Sequence, residues 1–144
     1  MKLKQKSEFN LYAAEVLIKN NLYAPSVHCS YYACFQLMKN ITSHKLGISY
    51  EMIDDFLKKK HLSLDERVKR TNEHGYIKQQ ILNDIVKKYS VKSDEYKDFN
   101  REFKDLQTYR IQSDYKDEEI LSTEADKALR ISVNLVGILK SVFK

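Results

Sequence analysis

The sequence predicts an all-α protein: an antiparallel up-and-down helical bundle of four long helices and one or two short ones. Three observations carry this. Only three glycines and one proline occur in 144 residues, too little turn chemistry for many short strands. Apolar residues recur at spacings of three and four along five stretches, the period at which one face of a helix returns. Capping residues stand in front of several of those stretches. The length fits one domain, residues 1–144, able to bury a core without disulfide or metal staples.

Taken in order, the first helix is expected after Ser7 as N-cap, with Phe9, Tyr12, Ala13, Val16 and Leu17 inward and an end at Asn20-Asn21. A short linker makes the next helix its neighbour. That helix opens at Pro25-Ser26, with Ser26 as cap or Pro25 in the first turn. Its stripe is Val27, Ser30, Tyr31, Cys34, Leu37, Met38 and Ile41. Gly47 then breaks the pattern, Tyr50 to Leu57 gives about two turns, and Ser63 with Glu66 has the spacing of a capping box. A break is expected at Gly75. Ile77, Ile81, Leu82, Ile85 and Tyr89 line the following helix. Ser93 caps the next, which stops before the acidic run Asp117-Glu118-Glu119. The last begins at Ser122 or Thr123, turning Ala125, Ala128, Leu129, Ser132, Leu135, Val136, Leu139 and Phe143 inward, with Gly137 marking a close helix contact.

The stretch from Asp94 to Tyr115 organises the chain. Tyr96, Phe99, Phe103 and Leu106 form its buried stripe, and the next position on that stripe is Arg110. A guanidinium removed from water must find a carboxylate, a carbonyl or an anionic ligand. Asp114, at i+4, is the nearest partner, and Tyr109 and Tyr115 flank the pair. Read structurally, Arg110 and Asp114 fix a helix end; read functionally, Arg110, Asp114 and Tyr115 form a candidate site.

The net charge of +5 and a pI near 9.0 permit nucleic-acid contact without demanding it. Lys58, Lys59, Lys60, Arg67, Lys69 and Arg70, set against Asp65 and Glu66, carry most of that excess. They form either a solvated face or a phosphate-contacting patch. The three isolated glycines exclude a Gly-rich phosphate loop. The four histidines lack metal-ligand spacing, and no nucleophile elbow or Cys-x-x-Cys occurs, so no metal or cofactor is expected. Cys29 and Cys34 read as reduced thiols of a cytoplasmic protein. The best apolar segment, Ile131 to Phe143, contains Asn134 and Lys140 and is too short to span a bilayer.

Three pieces of this sequence resemble the HEPN ("higher eukaryotes and prokaryotes nucleotide-binding") domain, a family of small helical bundles. They are Ser30-Tyr31-Tyr32-Ala33, Tyr109-Arg110-Ile111-Gln112-Ser113-Asp114-Tyr115, and the Ala/Leu-rich last helix from Ala125. The middle piece is similar to the Arg-x-x-(small)-Asp-Tyr signature of a bacterial branch, and residues 47–72 then look like an insertion. Many members are metal-independent ribonucleases acting as dimers, with Arg followed after four to six residues by His. Arg110 matches that arginine. The histidine window falls on Tyr115, Lys116 and Asp117, none of them His, and a tyrosine is a poor base at neutral pH.

Related toxins pair with nucleotidyltransferases that adenylylate a tyrosine further along. That position is Asp117 here, and Tyr115 points about 200° away from it on a helix. The resemblance therefore implies a homodimer, non-catalytic or weakly active, that binds nucleotide, RNA or a nucleotidyltransferase partner in a toxin–antitoxin-type system. One alternative is a ribonuclease in which Tyr115, or His28 or His74 brought in by folding, replaces the missing base. The other is a purely structural interaction module.

Overall fold

The structure, a computed structural model, describes residues 2–116 and 119–144. Asp117 and Glu118, on which part of the acidic run and the expected modification position fall, lie outside the described residues. Those residues form seven α-helices and one 3₁₀ turn, with no strand: α1 (Leu3–Lys19), α2 (Tyr23–His44), α3 (Tyr50–Lys59), the 3₁₀ turn Lys60–Leu62, α4 (Glu66–Arg70), α5 (Glu73–Lys88), α6 (Asp94–Tyr115) and α7 (Ser122–Val142). Five are long rather than the four expected. The helix expected after Gly75, α5, is itself one of the five long ones and starts earlier: Asn72 Oδ1 accepts from Gly75 N–H at 2.8 Å, and Ile77, Ile81, Leu82 and Ile85 bury its inner face.

α2 lies at the centre, against α1, α5, α6 and α7. Its composition allows this, because Ser26, Ser30, Ala33 and Cys34 are small and let partner backbones approach. Three buried hydroxyls join the helices. Ser7 Oγ donates to Ala33 O at 2.5 Å, Ser26 Oγ to Ala14 O at 2.9 Å and Ser132 Oγ to Ser30 O at 2.6 Å. Each satisfies a polar group that burial would otherwise penalise. All seven residues of the expected α2 stripe are buried, as are Phe99, Phe103 and Leu106 of α6.

Several local expectations are corrected. α1 begins at Leu3, and Ser7 is a buried interhelical donor rather than its cap. The face of α1 turned to α2 carries Ser7 and Ala14, so Phe9 and Tyr12 are 60% and 69% exposed. Leu11 and Ile18 pack on the core from the same face, and the small Ser7 and Ala14 between them permit close approach. Ser63 does not cap α4. Asp65 does, its carboxylate accepting from Arg67 N–H at 2.8 Å. Gly75 lies inside α5 instead of breaking the chain. Tyr89, placed after α5 has ended, is exposed. Gly137 faces open space, with nothing within 4 Å of where a Cβ would stand.

Segment 47–72 is anchored by Ile53, which is fully buried, and by a stack of Phe56 on Tyr76 with centroids 4.3 Å apart. No described helix is long and apolar enough to cross a membrane.

Candidate functional site

Arg110 leaves the buried stripe of α6 where the helix runs past the middle of α2. Only 14% of its side chain is exposed. Its guanidinium carbon stands 4.7 Å from the ring centre of Tyr31 on α2 and 5.7 Å from that of Tyr115. Such cation–π contacts replace part of the hydration that a covered arginine loses. Nη1 stands 3.8 Å from Asp114 Oδ2, within ion-pair range but beyond hydrogen-bond length. Arg110 Nε is buried and has no hydrogen-bond partner among the described residues. The expected Arg110–Asp114 pair therefore exists as a loose contact, and the bidentate geometry that would consume both groups is absent.

Asp114 is engaged by His28 instead. His28 Nδ1 lies 3.2 Å from Oδ1 and 3.1 Å from Oδ2 of that carboxylate, across 86 residues of sequence. A carboxylate accepts, so Nδ1 carries the proton and donates, leaving Nε2 as the lone-pair nitrogen of the neutral ring. The His28 ring also packs on Tyr32 at 4.6 Å. Arg110 and His28 thus converge on the same oxygen, Asp114 Oδ2.

A second histidine enters from the first turn of α5. Tyr31 and His74 are joined through the phenol oxygen and Nδ1, 2.5 Å apart. His74 stacks on Phe35 at 4.1 Å, and its ring lies nearly parallel to that of Tyr31. Burial, reinforced by the Arg110 charge, lowers the His74 pKa below its ordinary value, with Glu73 opposing and Lys39 adding to the effect. Burial pushes the Tyr31 phenol up, against the pull of Arg110. Both shifts favour one arrangement: neutral His74 accepts from a protonated Tyr31.

Of the candidate residues, Arg110, Asp114 and Tyr115 are together, and folding adds His28, Tyr31 and His74. The basic stretch is arranged differently. Lys58, Lys59, Arg67 and Arg70 are exposed. Lys60 Nζ donates to Thr71 O at 2.8 Å and Lys69 pairs with Glu66 at 3.3 Å. Arg67 Nε lies 3.6 Å from Asp65. Three of the six, Lys60, Arg67 and Lys69, are thus partly occupied in holding α4 and its flanks. The signal for His28 was slight: it precedes Tyr31 and Tyr32 by one turn on α2, and nothing local indicates that Asp114 faces it.

Comparison of the chain with protein-family models, with curated proteins and with solved structures finds no match in any of the three.

Proposed function

We propose that this chain is an HEPN-like antiparallel bundle whose Arg110–Asp114–His28 cluster binds a phosphodiester of RNA and cleaves it without a metal. The observation that carries this reading is the Asp114–His28 hydrogen bond beside Arg110. It supplies, from α2, a histidine for the position where the window after Arg110 has none. Asp114 holds the imidazole in one tautomer, His28 Nε2 takes the proton of a 2′-hydroxyl, and Arg110 steadies the charge growing on the phosphate. The 2′-oxygen then bonds to phosphorus as the bond to the 5′-oxygen breaks, and the leaving oxygen takes its proton from water. The products are a cyclic phosphate and a free 5′-hydroxyl.

Homodimerisation near α6, and pairing with a nucleotidyltransferase in a toxin–antitoxin-type system, belong to the same proposal and follow from the resemblance to HEPN domains. A binding-only version is favoured by one observation, the coverage of Arg110 by Tyr31, which limits how much of the cation a phosphate reaches. Cleavage of a labelled RNA in the presence of EDTA separates the two. The cleavage reading expects activity that falls about 100-fold or more in both Arg110→Ala and His28→Ala. Equal degradation by wild type and both variants would overturn it. RNA binding that needs Arg110 without any cleavage would leave the binding-only version.

A further inference from the structure

We infer that Lys78 of α5 and Lys104 of α6 form a second phosphate subsite in the groove that leads to Arg110, so that the ligand is a chain of phosphates held at two points. The inference rests on the phosphate-binding reading of Arg110 above and extends that site along α6. A phosphodiester strand and a condensed polyphosphate share this chemistry and differ in what lies between the phosphates.

Phe103 joins the two places. Its buried ring lies 5.8 Å from that of Tyr31, the ring that carries Arg110, and Lys78 Nζ stands 5.6 Å from its centre. Lys78 follows His74 by one turn of α5, and His74 is bonded to the Tyr31 phenol. Arg110 comes two turns after Phe103, about 10 Å along α6 and within about 20° of the same face. At about 3.4 Å per phosphate along a stacked strand, about three or four phosphates reach from one cation to the other. Lys78 is half-buried and Lys104 exposed. Burial, with the Lys104 charge adding to it, lowers the Lys78 pKa below its ordinary value. Among the described residues no carboxylate comes within 4 Å of either lysine. Other lysines take one: Lys39 has Glu73, Lys69 has Glu66 and Lys88 has Asp84. Two neighbouring ammonium groups, one of them partly stripped of water, cost stability unless an anion joins them. No described side chain supplies that anion, and a phosphate between them does.

Lys78→Gln together with Lys104→Gln removes both charges, and Lys4→Gln together with Lys6→Gln removes two exposed charges from α1 as a control. The probes are 2′-O-methyl oligonucleotides with one and with five phosphodiesters, which cannot be cleaved through the 2′-oxygen, and linear hexaphosphate. The Lys78/Lys104 variant should bind the longer strand about ten-fold or more weakly, and its slope of log affinity against log salt should fall by about 1.4, two contacts at about 0.7 each. The strand with one phosphodiester should bind as in wild type, and the variant should melt no lower. Replacing both lysines by arginine should keep wild-type binding. A loss confined to the strand supports the subsite with a phosphodiester as its occupant; a loss confined to hexaphosphate supports it with condensed polyphosphate. If the variant binds both long probes with wild-type affinity and slope, or the α1 control loses as much, while Arg110→Ala still abolishes binding of the short strand, the subsite is overturned and the Arg110 site stands. If Arg110→Ala binds the short strand like wild type, both are overturned.

Discussion

Asp114 Oδ2 is the point at which two positive or potentially positive groups meet, His28 Nδ1 at 3.1 Å and Arg110 Nη1 at 3.8 Å. The shorter contact decides the chemistry, because hydrogen-bond strength falls off steeply beyond about 3.2 Å. His28 is held and Arg110 is left partly unsatisfied. Asp114→Asn tests this ordering at the level of one atom: the amide nitrogen donates where the carboxylate accepted, so it favours the other histidine tautomer. RNA cleavage should drop by about 10²–10⁴-fold with little change in melting temperature. Retention of full cleavage would show that the tautomer is not set by Asp114. Arg110 and Asp114 were legible in the sequence from the interrupted apolar stripe. His28 was named only as one of two histidines that folding could bring in, because a pairing across 86 residues leaves no local pattern to choose between them.

At the scale of the helix, α1 gives the clearest contrast between sequence pattern and packing. Phe9, Tyr12 and Val16 have the spacing of a buried stripe, yet Ser7 and Ala14 occupy the interface with α2. Closeness wins because two helices that share hydroxyl-to-carbonyl bonds approach too near for large side chains. Thermal denaturation should therefore rank substitutions against their apparent hydrophobicity. Ser7→Leu should destabilise by about 1–3 kcal/mol through overpacking, and Phe9→Ala should stay within about 0.5 kcal/mol of wild type. The reverse order would mean that α1 is seated by its aromatic face. Elsewhere periodicity served well. The stripes of α2 and α6 and most of that of α7 were visible in the chain, because those helices bury apolar residues in the usual way. The α4 cap was missed because Asp65 caps at a shorter spacing than the Ser63–Glu66 pair suggested, and the start of α5 because Gly75 reads as a break although Asn72 caps a helix that runs through it.

For the whole molecule, the Tyr31–His74 contact couples α2, α5 and α6 and makes stability depend on pH. The folded state holds the His74 pKa below its ordinary value near 6.5, so protons bind more tightly to the unfolded chain. Its contribution is complete above about pH 6.5 and is lost as pH falls below that. Melting curves between pH 7.5 and pH 5 should show a smaller loss for His74→Phe, which keeps the stack on Phe35 without the titrating ring. Equal pH dependence in the two proteins would remove His74 as the cause. Burial also raises the Cys34 pKa, so that thiol should react with a disulfide reagent only as fast as the core opens. Labelling of Cys34 in the native protein at the rate of a free thiol would contradict its place in the core.

All of the proposed chemistry depends on α2 delivering an imidazole to a phosphate held by α6. Chemical rescue tests this most directly: His28→Ala should lose RNA cleavage in EDTA and regain part of it when free imidazole is added, while Arg110→Ala should gain nothing from the same addition. Unimpaired cleavage by His28→Ala, or an imidazole response no larger than that of Arg110→Ala, would contradict the account.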